Sequence, residues 1–309
     1  MSSRLFVDGI ETLEEFGIIL SEGSYENLIA YPALKPVDIN TWGEENGIEP
    51  DLSNPQLDTR QLSLNFGALD QQSDWGGFIA ILSDESAFHT FYFEELDKTY
   101  NLRMVSQTRN QEVQQSGLYT LVLADDYPLS GYTYSAPSSE MAPEQMYDID
   151  DYNLSDYGIW ALEGNEDDLK KSPAVRMNLL INSGTTAGVT YDGQHVVFTE
   201  KDVELRCAMR AGSMAEFWRN YQALLYDLTR PGERDLYIDS LSEDVPFFYK
   251  SAAISALILG AEIWCVFTLS LTITVFVLGD TEYVLAAEAG QMIITEEGLD
   301  SIDLKQIPA

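Results

Sequence analysis

The segment "VDGIETLEEFGIIL", residues 7–20, is answered by "IDDYNLSDYGIWAL", residues 149–162. Leu13, Phe16, Gly17 and Ile18 match Leu154, Tyr157, Gly158 and Ile159 at a constant offset of 141 residues. The echo continues downstream in the same order. "DTRQLSLNF" (58–66) faces "KDVELRCAM" (201–209), and both alternate apolar with polar residues as half-buried strands do. Tyr92, Phe93 and Leu96 answer Tyr237, Ile238 and Leu241 at an offset of 145, and "LYTLVL" (118–123) faces "IWCVFT" (263–268) at the same offset. Blocks that keep their order and spacing imply a tandem duplication, with loop insertions absorbing the drift. The two opening segments then read as the same strand in two sister domains.

Length agrees with that reading, because 309 residues suit two domains of about 150. With 45% hydrophobic residues, 17 Tyr and 13 Phe, each half has enough apolar mass for its own core. The charge is −34, from 17 basic against 51 acidic side chains, and it is spread along the chain. Affinity for phosphates comes from Lys and Arg releasing counterions, so such a chain is not expected to bind nucleic acid directly. "MSSRLFVDGIETLEEF" contains no apolar run of signal-peptide length, so synthesis in the cytoplasm is expected. The apolar stretch 251–279 is long enough to span a bilayer. From Ile263, however, it alternates with period two and is interrupted by Glu262, which predicts strands and no membrane insertion.

Each half predicts the same element order: an opening strand, a long acidic loop region, a long strand, a helix, then three strands. "SMAEFWRNYQALLYDL" carries Ser213 as N-cap with Glu216 three residues on, and Phe217, Tyr221, Leu224, Leu225 and Leu228 form one apolar stripe. Its counterpart, "SDWGGFIAILSDE", keeps the stripe in Trp75, Phe78, Ile79 and Leu82. Asp192-Gly193 in "VTYDGQHVVF" predicts a two-residue hairpin turn, and the first half, with "INTWGEENGIEPDLSNP" in that place, is expected to lack the hairpin. The fold class is therefore α+β, mainly β: two duplicated domains, each a β-sandwich or small barrel with one flanking helix. The expected boundaries are 1–128 and 148–278, with a linker at 129–147 and a C-terminal β-hairpin extension at 279–309.

No constellation of catalytic residues emerges. The only histidines are His89 and His195, and no His/Cys metal spacing, Gly-rich phosphate loop or nucleophile elbow is present. "DIDDYNLSD" and "EGNEDD" lack the register of a calcium loop and read as solvated carboxylates. No catalytic, metal or cofactor residues are assigned, no cofactor is expected, and an enzyme is not expected. Cys207 and Cys265 read as buried free thiols. Trp42, Tyr132, Tyr134, Tyr147 and Tyr152 fall in loop-like segments where rings could stack on sugars, although packing of the loops is the simpler use. Trp160, Trp218 and Trp264 are expected in the core.

"LFVDGIETLEEFGIIL", "NTWGEENGIEPDLSNPQLDTRQLSLNF", "SGLYTLVLADDYPLSGY", "LLYDLTRPGERDLYI" and "YVLAAEAGQMIITEEG" resemble tail proteins of bacteriophages and prophages from gut bacteria. The resemblance covers nearly the whole chain and carries no catalytic motif. It points to the distal-tail and tail-hub group, whose domains are related to those of the tail tube. It implies a homo-oligomeric ring, three chains in a pseudo-sixfold hub or six in a distal-tail ring, located in the virion. The implied partners are the tail tube and the baseplate or tip proteins, around a channel for DNA. A glycan-binding adhesin module using Trp42 or Tyr134 is the alternative expectation.

Overall fold

In a computed structural model the chain is described over residues 4–275, apart from 22–24, 44, 70–71, 84–86, 114–115, 144–146, 151, 177–179, 182, 192–195 and 239–242. The expected extension at 279–309, His195 and the Asp192-Gly193 pair lie outside the described residues. The first half runs β1 (Leu5–Val7), β2 (Ile10–Glu11), α1 (Thr12–Phe16), β3 (Ile18–Leu20), α2 (Tyr25–Ile29), β4 (Ile39–Asn40) and β5 (Glu49–Pro50). It continues through β6 (Arg60–Ala68), α3 (Trp75–Leu82), β7 (His89–Phe93), β8 (Lys98–Val113) and β9 (Ser116–Asp125). The second half begins with β10 (Tyr147–Ile149), β11 (Tyr152–Asn153), a 3₁₀ turn (Leu154–Tyr157), β12 (Ile159–Ala161), α4 (Asn165–Lys170), β13 (Leu180–Ile181) and β14 (Thr190–Tyr191). It ends with β15 (Lys201–Ala211), α5 (Met214–Leu228), β16 (Arg234–Ile238), β17 (Glu243–Leu259) and β18 (Ile263–Ile273).

Two seven-stranded antiparallel sheets result, ordered β2-β1-β7-β8-β9-β6-β3 and β11-β10-β16-β17-β18-β15-β12. Element by element the second order repeats the first. The opening segment is thus not one strand, as its apolar spacing suggests. It closes a β1–β2 hairpin at Asp8-Gly9, makes one helical turn and starts β3 at the far edge of the sheet. This connection also forces curvature. Seven flat strands about 4.8 Å apart would separate the edges by roughly 29 Å, whereas five helical residues rise only about 8 Å. Each sheet therefore curls until its edges lie one helical turn apart, as a half-barrel does.

The register also refines the repeat. β8 carries bulges between Met104/Ser106 and Arg109/Gln111, and β17 carries them between Tyr249/Ser251 and Ile254/Ala256, each 145 residues on. Arg60, not Asp58, occupies the position of Lys201, since Arg60 and Lys201 start the matching ladders. Leu121 and Leu269 are equivalent partners in those ladders, an offset of 148, so "LYTLVL" does not face "IWCVFT". Three extra residues in the β17–β18 hairpin account for the slip, and because three is odd the offset of 145 sets inward positions of β9 against outward positions of β18. The first half does contain the small hairpin it was expected to lack. β4 pairs with β5 and Leu34 bridges Leu57; β13 pairs with β14 and Val175 bridges Phe198, each 141 residues later. In the second half the β13–β14 reversal lies between Ile181 and Thr190. We call residues 33–58 and 174–199 the first and second arms.

Apolar alternation fills the interior. In β18, Ile263, Cys265, Phe267, Leu269, Leu271 and Ile273 are buried, so 251–259 and 263–273 of the membrane-length stretch are strand, and no helix among the described residues is long and apolar enough to cross a membrane. In α5 the predicted stripe is buried and Ser213 accepts the Glu216 N–H; Glu216 in turn accepts from Gly212 N–H. Asp74 caps α3 in the same way through Gly77 N–H, a cap the sequence reading did not name. Trp160, Trp218 and Trp264 are only half-buried: Trp160 stacks on Trp264 at 5.5 Å on the outward face of β12 and β18, and Arg210 lies over Trp264. Alternation places both rings opposite the core residues, which ring size alone does not predict.

Gly17 and Gly158 end the helical turns in the left-handed region, at φ 65° and 72°. A Cβ on Gly17 would lie 2.9 Å from Ser73 Oγ, a side chain that can turn away; on Gly158 it would lie 2.5 Å from the Arg210 carbonyl oxygen, which cannot. Both alanine substitutions carry the left-handed penalty of about 1 kcal/mol. Gly158→Ala is expected to lower the urea midpoint more than Gly17→Ala.

Candidate functional site: the joint between the repeats

The two repeats meet head to tail, through different faces. At the centre, Tyr31 donates its hydroxyl to the Tyr221 carbonyl at 2.5 Å, and Tyr221 donates back to the Ile29 carbonyl at 2.6 Å. The rings lie 4.1 Å apart, and Phe267 meets both edge-on. Tyr249 donates to the Pro32 carbonyl at 2.8 Å, and the Trp218 Nε1–H to the Leu96 carbonyl at 2.6 Å, with Lys98 over the indole. Burial holds the phenols of Tyr31 and Tyr221 far above their ordinary pKa, so they remain donors.

From this centre the first arm lies across the second sheet. Leu34 N–H donates to the Lys250 carbonyl at 2.8 Å; Lys250 is the residue that the β17 bulge leaves out of the ladder. At the arm's tip Gly47 N–H donates to the Phe198 carbonyl and Ile48 N–H to the Thr274 carbonyl, both at 2.9 Å. Ile48, Leu52 and Phe248 form a small buried cluster beneath it. Arg176, from the second arm, donates to the carbonyls of Trp42, Glu45 and Gly47. Gly47 is at φ 77°, and a Cβ there would fall 1.9 Å from the Thr274 carbonyl oxygen. Only glycine allows that approach.

A cleft of 670 Å³ opens beside the joint, with Arg60, Lys98, Tyr100, Tyr132 and Trp218 among its lining. Arg60 is committed there to the carbonyls of Leu28 and Ala30, at the end of α2, and to Asp125 at 2.9 Å. Lys201 does the same for α4 in the second repeat, donating to the carbonyls of Asp168, Leu169 and Lys171. Cations at helix C-termini are favoured by the exposed carbonyls.

Of the aromatic residues singled out in the sequence, Tyr132, Tyr134 and Tyr152 gather around Tyr226 and Asp227. Tyr132 and Tyr134 pack on Tyr226 of α5, at 5.9 and 4.9 Å. Tyr134 and Tyr157 both donate to Asp227 Oδ2, at 3.2 and 2.8 Å. Tyr147 and Tyr152 are strand residues, in β10 and β11, not loop residues. Trp42 lies at the first arm's tip, 54% exposed, with its Nε1–H on Glu49. Cys207 and Cys265 are buried free thiols. Burial raises both thiol pKa values, that of Cys265 to about 12, so neither is a ready nucleophile.

The described carboxylates of the acidic run at 148–156 are occupied in structure. Asp150 accepts from Arg230, Arg234 and the Asp235 N–H, and Asp156 caps the Asn153 N–H. His89 lies at the position of Arg234, and its Nδ1 is 2.7 Å from Asp8, which also accepts the Thr90 N–H. Burial pushes the Asp8 carboxyl up, but these hydrogen bonds outweigh it and hold the pKa below the ordinary value. Tyr31, Gly47 and Arg176, the residues that make the joint, were not picked out from the sequence. Tyr221 was read only as part of an apolar stripe.

No family model matches this chain, and no curated protein matches it. Among solved structures, it is similar to the Dit (gp 19.1) protein of SPP1, titled "a Paradigm of Hub Adsorption Apparatus in Gram-positive Infecting Phages". That likeness has a TM-score of 0.31 and 9% identity, over 88% of this chain and 99% of that one.

Removing the Tyr221 hydroxyl leaves the Ile29 carbonyl, at the end of α2, without its donor, which costs about 1–3 kcal/mol. The Tyr221 carbonyl, by contrast, lies inside α5 and keeps its helical partner when Tyr31 loses its hydroxyl. Tyr221→Phe should reduce the unfolding free energy by that amount in urea titrations, and Tyr31→Phe by less, about 0.5–1.5 kcal/mol for one hydrogen bond lost. Asp227 supplies a pH test. Burial raises its pKa above 3.8 despite hydrogen bonds from Tyr157 and Tyr134. Its contribution is fully present below that value and is lost as pH rises through the folded pKa. Over that rise the stability of the wild type should fall relative to Asp227→Asn.

Proposed function

We propose that this chain is a structural component of a bacteriophage tail, a distal-tail or hub ring without catalytic activity. The ring joins the end of the tail tube to the baseplate or tip and leaves a channel for DNA. The observation that carries this reading is the joint itself. Two like units contact one another through unlike faces, and contacts of that type, repeated between chains, build rings where the rotation closes and open filaments where it does not. The resemblance of the quoted phrases to phage tail proteins supports the location.

In this reading the units are tube-like domains at 1–128 and 148–278, linked by 129–147 and followed by an extension at 279–309. The negative charge of −34 suits a channel that carries DNA without gripping it. The glycan-binding alternative draws less support: Trp42 is exposed, but Tyr134 is engaged with Asp227 and Tyr226.

Mass photometry and negative-stain images of the purified chain, alone and with its tail partners, are expected to show rings of three or six. A chain that stays monomeric even with those partners would overturn the proposal.

A further inference from the structure

The described residues of the second arm repeat the first arm's shape but, apart from Arg176 and Phe198, which hold the first arm's tip, they lie across no sheet of their own chain. Gly188 matches Gly47, with φ 78° against 77°, yet a Cβ on Gly188 would meet nothing within 4 Å. Val189 matches Ile48, and is 53% exposed where Ile48 is 5%. Val175 matches Leu34 and is 43% exposed. Among the described residues, the N–H groups of Val175, Gly188 and Val189 have no acceptor, whereas those of Leu34, Gly47 and Ile48 all do. An apolar arm held in a shape that only close backbone contact requires, with its donors unused, is half of an interface.

The other half is on the first sheet. Val105 is the residue left out of the ladder by the first β8 bulge, as Lys250 is by the matching bulge of β17, and it is 43% exposed. Asp126 stands where Thr274 does, and Leu57 where Phe198 does. Lys35, exposed on the first arm, occupies the position of Arg176 and keeps its positive charge.

We infer that the second arm docks on the first sheet of a second copy of this chain, in the register the first arm already displays within one chain. The Val175 N–H then donates to the Val105 carbonyl, Gly188 N–H to the Leu57 carbonyl and Val189 N–H to the Asp126 carbonyl. Lys35 of that second copy reaches the carbonyls at 183–188. Continuity with the internal joint identifies the occupant, because the same surfaces already meet in that joint. The tyrosine pair is not repeated: Ser172 and Leu82 stand at the positions of Tyr31 and Tyr221. The joint between chains is accordingly the weaker of the two. This inference rests on the ring part of the proposed function and not on location in a tail.

Two measurements test it on the full chain. Val189→Asp places a charge in the docked tip and is expected to weaken self-association about tenfold or more by sedimentation or mass photometry. Its thermal unfolding as a monomer should not change, since Val189 is exposed there. A chain carrying both Val105→Cys and Val175→Cys should be linked to other chains by a short bis-maleimide, while either single variant is not; the native thiols are buried. Normal association of Val189→Asp, or no linkage of the double variant, overturns the inference. Rings without linkage would discard this register and leave the ring standing. Linkage in a protein absent from phage tails would keep the register and overturn the tail reading.

Discussion

Two phenols that must donate hold the halves of this chain together. A buried hydroxyl or carbonyl without a partner costs more than the net gain of an ordinary hydrogen bond, so the Tyr31–Tyr221 exchange tolerates little displacement. Each hydroxyl reaches across to a backbone carbonyl of the other repeat. The rings also pack 4.1 Å apart, tilted by 30°, with Phe267 edge-on to both, so the donors cannot swing to water. Once that contact is set, the first arm has little freedom: it leaves Tyr31 through Pro32, meets Lys250 and lies along the second sheet. The relative orientation of the units, which decides whether further copies close a ring, is therefore written at one small buried site.

Within each unit the controlling constraint is the short connection across the sheet. Edges joined by a single helical turn must curl, and curling needs devices that relieve the ladder. The paired bulges of β8 and β17 supply them, at equivalent positions in both halves. One bulge does a second task by freeing Lys250 to accept the arm. Local clamps recur with changed chemistry: Asp8 holds His89 where Asp150 holds Arg234, and Arg60 and Lys201 close equivalent helices. The backbone demand persists, while the side chain that meets it is free to change.

Much of this was legible in the sequence. Repetition at 141 and 145, the strand periodicity of 263–273 and the Ser213 helix start all follow from spacing, because spacing reports which face is buried. The register of β9 was legible but missed: a slip of three residues is odd and exchanges the two faces of a strand, so the offset of 145 set the inward Leu121 and Leu123 against the outward Val266 and Thr268. The first hairpin was hidden because its strands are two residues long and its tip is defined by Gly47 packing on a distant backbone. The joint escaped for a related reason. Tyr31 sits in "IAYPALKP", with nothing nearby to show that its partner lies 190 residues away. Long-range backbone acceptors leave no local pattern to read. Tryptophan positions misled in the opposite direction, as large rings on the outer face of a strand can stack on one another instead of entering the core.

One difference between the repeats reaches beyond the single chain. The β17–β18 hairpin is extended by three residues relative to β8–β9, and its Ile258 is 60% exposed. In any closed assembly where the units alternate, every second crown would therefore stand taller than its neighbours. A surface resting on that crown would count half as many footholds as there are units, and could tell the rotational order of the chains from that of their folds.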